Sequence, residues 1–234
     1  MKTLVVASAY PDPPFDVMTH GMPGGFDVEL MRAICGRLGY GLRPVPYEGA
    51  DFNGIFDGLQ NGTYDAVISG TTITPARAKI VLFSKPYLEF NQGVAVNRLR
   101  TPHAETIGNL HGLVAGIQSG NTSDIVARHL LAVKSIGGIR YYPYNGIETM
   151  LGDLQAGRIG LIVKLFPVIS WLIKDRPDLA VTMQVPTHEK LGIAYAKNNT
   201  ALRDEVDAAI ELLRADGEFA RIESRYFPES GSSA

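Results

Sequence analysis

Residues 65–79 read DAVISGTTITPARAK, and the reading of this stretch decides the fold. Its first half, 65–69, is a short apolar run that ends in small and hydroxyl side chains, as a buried strand does. Its second half opens a helix. Thr74 followed by Pro75 is a strong start signal, because the Thr hydroxyl accepts from an early helical N–H and Pro has no N–H to leave orphaned. Ligands of open α/β sheets bind at the carboxyl ends of strands, where Ser69, Gly70, Thr71 and Thr72 stand with backbone N–H groups and hydroxyls. Arg77, one turn into the helix, adds a planar cation able to give a carboxylate two parallel charge-assisted hydrogen bonds. The stretch reads as a carboxylate trap on an α/β scaffold, against the plainer alternative of a capped helix with a solvated Arg.

Working outward, two series of alternating strands and amphipathic helices emerge, the pattern of sheets covered by helices. In the first, 4–7 is a strand and Asp27 is the expected N-cap of a helix whose apolar positions Leu30, Met31, Ile34, Cys35 and Leu38 repeat at helical spacing until Gly39 stops it. A strand at 42–45 and a helix at 52–61, with Gly62 beyond it, lead to the strand 65–69. The second series runs through a strand at 113–117, a helix at 121–133, a strand at 140–142, a helix at 147–155 and a strand at 159–163. A short helix from Pro167, an extended stretch at 191–196 and two helices at 201–213 and 218–226 follow. These last helices have no strands of their own to cover, so they are expected to return to the first series. The result is a two-lobed α/β protein: lobe 1 from 1–92 and 193–234, lobe 2 from 93–192, and crossing strands near 92–96 and 191–196 as a hinge.

Composition narrows the function. In 234 residues, 22 Lys+Arg stand against 24 Asp+Glu for a formal charge of −2, and no basic block interleaves with aromatics, so nucleic acid is not expected as a partner. The longest apolar runs, such as 161–163 and 168–173, fall far short of the ~20 residues of a membrane span, which points to a soluble chain. Lys2 and Thr3 run straight into the first strand, so no export signal precedes it. A leading Met before a strand is also what a chain looks like once such a signal has been cut away, and the small polar tail at 230–234 reads as a linker or scar. Cys35 is the single cysteine and sits on the apolar face of its helix, which excludes an internal disulfide and suggests a buried thiol. The five histidines lack metal-ligand spacing, and no nucleophile–base pair or phosphate loop is present. No metal, no cofactor and no catalytic residue is therefore expected.

Several spaced motifs then carry a resemblance. GFDVELMRAICGRLG at 25–39, FNGIFDGLQNGTYDAVISGTTITPARAKIVLFSKPYLE at 52–89, GLVAGIQSGNTSD at 112–124 and ETMLGDLQAGRI at 148–159 resemble, in order and almost end to end, the family 3 solute-binding proteins, receptors of polar amino-acid ABC transporters. The resemblance implies the type II periplasmic-binding-protein fold, a periplasmic or extracellular location with a lipid anchor allowed, a monomer, and an ABC permease as partner. It implies that Arg77, Thr72 and the Ser69–Gly70 backbone hold a ligand carboxylate, that Ser119, Asn121 and Thr122 complete the site from the second lobe, and that Tyr10 and Phe52 are aromatic walls. For Phe52 a core position is the bland alternative; for Tyr10, beside Pro11, an exposed cleft position is expected.

One departure stands out. Where amino-acid-binding members carry an Asp for the ligand ammonium, this sequence has Leu165 in the run GLIVKLFPV, with Lys164 beside it. A buried ammonium without a counter-charge is costly, so a ligand lacking the α-ammonium is expected, with a second anionic group meeting Lys164. Alternatively Glu148 or Asp12 supplies the missing charge, and Lys164 snorkels to solvent. Two other readings use the same fold: a prephenate or arogenate (cyclohexadienyl) dehydratase with Glu148 or Glu89 as acid, or the sensor domain of a receptor.

Overall fold

The computed structural model describes residues 2–228; the tail at 230–234 lies outside the described residues. The chain forms two compact units, the first running to Glu48, resuming over Gly54–Glu89 and again from Lys190, the second comprising Gly49–Asn53 and Phe90–Glu189. Among the described residues the strands and α-helices follow in this order: β1 (Thr3–Ala9), β2 (Val17–Thr19), β3 (Met22–Gly24), α1 (Phe26–Leu38), β4 (Gly41–Tyr47), α2 (Asp57–Gln60), β5 (Ala66–Val67), α3 (Pro75–Ala78), β6 (Leu82–Phe83), β7 (Leu88–Asn97), β8 (Val114–Gln118), α4 (Ser123–Ala132), β9 (Gly138–Tyr142), α5 (Ile147–Ala156), β10 (Leu161–Leu165), α6 (Phe166–Ile173), β11 (Leu179–Leu191), β12 (Ala194–Tyr195), α7 (Thr200–Ala215) and α8 (Glu218–Tyr226).

The first unit is built on a five-stranded sheet of order β4-β1-β5-β12-β6. Its parallel half, β4-β1-β5, is extended by β12, antiparallel to β5, and then by β6, antiparallel to β12. β1 is apolar on both faces because both are covered, as in parallel sheets generally. α7 and α8 pack on α1, as expected of terminal helices without strands of their own. Phe15, Phe26, Tyr87, Phe219 and Phe227 form an aromatic core, with Phe26 stacked on Tyr87 at 6.1 Å and in edge contact with Phe219. Cys35 is buried.

The second unit is a five-stranded sheet of order β11-β7-β10-β8-β9. Alternation divides its side chains between two cores. Val94, Val96, Ala115, Ile117, Leu161 and Val163 face Val126, Ala127 and Leu130 of α4, whereas Ala95 and Ile162 face Ile147, Met150, Leu151 and Leu154 of α5 and Ile169 of α6.

Several sequence expectations are corrected. Asp27 does not cap α1: the N-cap is Gly25, at φ 101°, and Asp27 lies in the first turn. The 52–61 helix is a 3-10 turn, Phe52–Phe56, followed by the single turn α2. The strand expected at 159–163 is Leu161–Leu165, because its ends are set by pairing with β7 and β8, which a continuous apolar run does not reveal; Lys164 and Leu165 thus lie within it. The β2–β3 hairpin and most of β11 were not anticipated, since their mixed, half-exposed residues carry little periodic signal.

Gly25 shows how strictly the chain is held here. A Cβ at this position would run into the Phe15 carbonyl at a φ that L-residues avoid. Gly36, in the same helix, has open space around its Cβ direction. In denaturant titrations Gly25→Ala is expected to cost more than ~1 kcal/mol, whereas Gly36→Ala is expected to gain about 0.5–1 kcal/mol.

Candidate ligand-binding site

In the first unit, β5 delivers residues 69–72 to the start of α3. Thr74 caps α3, its hydroxyl accepting from the Arg77 N–H at 3.2 Å with Pro75 in the first turn, as the sequence predicts. Arg77 is only 6% exposed, and that number matters because a guanidinium so withdrawn from water has a defined direction. Its Nη1 donates to the Thr72 carbonyl at 3.0 Å, and its plane lies 5.6 Å from the Phe56 ring centroid. Thr72 is itself anchored by a bridge to Leu191.

Ser69 and Gly70 face the other way. The Ser69 hydroxyl donates to Asp16 Oδ2 at 2.6 Å and accepts from the Ala9 N–H at 3.0 Å. The Gly70 N–H donates to Asp27 Oδ2 at 2.7 Å, and the Tyr87 hydroxyl donates to Asp27 Oδ1 at 3.0 Å. The Gly70 amide and the Ser69 hydroxyl are thus engaged inside the first unit, a use that the sequence analysis missed because Asp27 reads as a helix cap. Asp16 and Asp27 are both fully buried. Burial pushes the Asp27 carboxyl up to about 7, against the lowering effect of the Gly70 and Tyr87 hydrogen bonds. Burial, and then the neighbouring Asp27, hold Asp16 well above the usual carboxylate range.

Tyr10 belongs to this cluster too. Its ring is half-buried, but its hydroxyl is buried near Ser8 and Asp16, and burial followed by the Asp16 charge raises its pKa. Tyr10 is thus half-buried where an exposed position was expected. Asp12 is likewise buried and bridges Asp16 through backbone hydrogen bonds.

In the second unit, polar groups gather at the ends of β8 and β10. Lys164 does not snorkel to solvent: it is buried, its Nζ donates to Gln118 Oε1 at 2.8 Å, and it lies 5.9 Å from the Tyr144 ring centroid. Gln118 is held in turn by a hydrogen bond from its Nε2 to the Tyr144 carbonyl and by a long contact from Asn121 Nδ2. Phe52, assigned to the second unit, is buried with its ring 5.3 Å from that of Tyr144, and its N–H donates to the Ser119 carbonyl at 3.1 Å.

The opposite face carries a second cluster. Leu165 is paired in register with Gln92. Gln92 Nε2 donates to Glu189 Oε1 at 2.7 Å, the Thr122 hydroxyl donates to Glu189 Oε2 at 2.7 Å, and the Ser123 hydroxyl donates to Gln92 Oε1 at 2.9 Å. Thr122 stands at the N-cap of α4 without capping it, its hydroxyl given to Glu189. Glu189, 8% exposed, is a functional candidate that the sequence reading missed; only the pairing of β11 beside β7 brings it here. Glu148, by contrast, has a side chain 73% exposed and paired with Arg176, and Glu89 is exposed. Glu148 therefore replaces no buried charge. Among the described residues no group of three or more His, Cys, Asp or Glu could hold a metal ion, and no helix is long and apolar enough to cross a membrane.

Comparison with known proteins places this geometry in a family. The profile of the bacterial extracellular solute-binding proteins, family 3, matches residues 4–229. The ABC transporter arginine-binding protein 1 of Escherichia coli K12 is 30% identical over 96% of this chain and 89% of its own length. The probable histidine-binding protein of Neisseria gonorrhoeae is 29% identical over 100% of this chain and 86% of its own length. Among solved structures, an ancestral arginine-binding protein bound to arginine superposes with a TM-score of 0.86 at 30% identity, covering 97% of this chain and 99% of that one. An ancestral amino acid-binding protein described as a precursor of cyclohexadienyl dehydratase gives 0.85 at 29%, covering 96% and 95%. With a profile matched over nearly its whole length, the chain belongs to the bacterial extracellular solute-binding proteins of family 3.

Proposed function

We propose that this chain is the solute receptor of an ABC importer and binds an amino acid or a related small carboxylate through Arg77. The observation that carries this reading is the buried Arg77 guanidinium, aimed by the Thr72 carbonyl and the Phe56 ring at the end of a strand. Desolvation strengthens a bidentate hydrogen-bonded pair with a carboxylate and makes the loss of that carboxylate costly. Thr72 adds a hydroxyl from the same unit. The names of the relatives, arginine- and histidine-binding proteins, support an amino acid as the ligand class.

The finer question is the ligand's α-ammonium. Leu165 is buried and apolar, and Lys164 places a cation at the end of the same strand, which supports a ligand without the ammonium and with a second anionic group. Glu189 supports the alternative, because it puts an acid on the face where Leu165 has none. The precursor relationship of one structural neighbour keeps a dehydratase in view, but the acids considered for it, Glu148 and Glu89, are exposed.

A thermal-shift screen against the standard amino acids and a panel of mono- and dicarboxylates, confirmed by calorimetry, separates these cases. Stabilisation by carboxylates alone supports the ammonium-free ligand, stabilisation by amino acids supports Glu189 as the ammonium's partner, and turnover of prephenate overturns the receptor reading. Arg77→Ala is expected to weaken binding of the hit by ~2–5 kcal/mol in the same calorimetry; unchanged affinity removes Arg77 from the site. For an ammonium-free ligand, Leu165→Asp is expected to shift preference towards α-amino acids. If the native ligand is an amino acid, Glu189→Gln is expected instead to weaken it by about tenfold or more.

A further inference from the structure

Arg77 and Thr72 recognise a ligand only if residues 69–72 hold one course, and the structure shows what holds them. Gly70 lies at φ +49°, with its Cβ direction 3.3 Å from the Phe15 ring, so the chain turns over an aromatic floor in a conformation that costs a glycine little. Such a turn is not self-supporting. Its amide is taken by Asp27, a residue 43 positions earlier on the first turn of α1, and the hydroxyl of the preceding Ser69 is taken by Asp16. On the far side, the Gly192 N–H donates to the Thr71 carbonyl and the Ile73 N–H to the Lys190 carbonyl.

Asp27 is the more telling of the two acids. Both of its oxygens accept from defined donors, one on the 69–72 segment and one on Tyr87, and it lies fully inside the first unit. A carboxyl group in that position is costly to withdraw from water unless its hydrogen bonds are made. An apolar residue would fill the space at no such cost, so packing alone gives no reason for an acid here. Its hydrogen bonds do give one.

We infer that Asp27 is a positioning residue for ligand binding: by accepting from the Gly70 amide it fixes the course of residues 69–72, and so the direction in which Thr72 and Arg77 present their donors. This rests on the ligand-binding reading of Arg77. Tyr87 closes the other side of the carboxyl group and keeps it from swinging away from Gly70. Asp27 touches no ligand in this account; it acts through Gly70.

The test uses the whole chain with two near-isosteric variants, Asp27→Asn, which keeps an acceptor oxygen for the Gly70 N–H, and Asp27→Leu, which has none. The probes are the twenty standard amino acids and succinate, measured by calorimetry, together with amide hydrogen exchange of the ligand-free proteins. The expected result is that Asp27→Leu, folded by circular dichroism, weakens the wild-type hit by about tenfold or more and loses protection at Gly70, while Asp27→Asn stays within about threefold and keeps it. A merely structural role would lower the melting temperature and leave affinity unchanged, and that outcome overturns the proposal. If Asp27→Leu does not fold, the wild-type exchange still decides: a Gly70 amide that exchanges freely without ligand overturns it. Should the wild type bind no probe at all, the failure lies in the reading of Arg77, and the inference falls with it. Loss of binding in Arg77→Ala beside full binding in Asp27→Leu locates the failure in Asp27 alone.

Discussion

Removing a carboxyl group from water is costly, and a domain core accepts one only where hydrogen bonds repay part of the loss. The first unit accepts Asp16 and Asp27 together, both fully buried and both shifted towards their neutral forms. The hydrogen bonds that make this tolerable come from Ser69 and Gly70, the residues that link β5 to the loop before α3. The aromatic floor of Phe15 and Phe26, the stacking of Tyr87 on Phe26 and the glycine at 25 all follow from the need to bring α1 and this loop together around the acids. The candidate ligand arginine stands at the far end of the same chain segment, so its placement depends on a constraint that lies wholly behind it.

The second unit solves a different problem with the same materials. A strand end carrying Lys164 on one face and Leu165 on the other separates a cation from an apolar patch by one residue of pleat. On the cation's face Gln118 accepts from Lys164 and the Tyr144 ring lies nearby; on the other, Gln92 and Thr122 donate to Glu189 and Ser123 donates to Gln92. Each charge has neutral hydrogen-bonding partners, which lower its desolvation cost. Leu165 brings no acid to this strand end, and the buried acid Glu189 stands on β11.

Membership of family 3 and the naming of its relatives as arginine- and histidine-binding proteins bear on the class of ligand, not on the choice within the class. On the proposed reading, that choice rests on Lys164, Leu165 and Glu189 at the end of one sheet, because a difference of one buried charge outweighs most differences in shape.

What was legible from the residues alone was local or periodic. The Thr74–Pro75 start of α3, the Gly39 stop of α1, the burial of Cys35 and the return of α7 and α8 to the first unit follow from capping chemistry, 3.6-residue periodicity and the count of strands to be covered. The type II fold was legible through the family resemblance that several motifs carry, and Arg77 was singled out by its place after a strand and a capped helix start. The tertiary structure alone decided which hydrogen bonds those residues make. Asp27 reads as a helix cap because an acid before an apolar periodic run has that meaning locally, yet its partners lie at Gly70 and Tyr87, too far along the chain for any local pattern to reach. Glu189 carries no motif at all and becomes a candidate only when β11 pairs beside β7; Lys164 and Leu165 take opposite faces only once the register of β10 is set. Periodicity tells which side of an element is covered, but the partner of a buried polar atom is a property of strand register and of helix placement, and these are global.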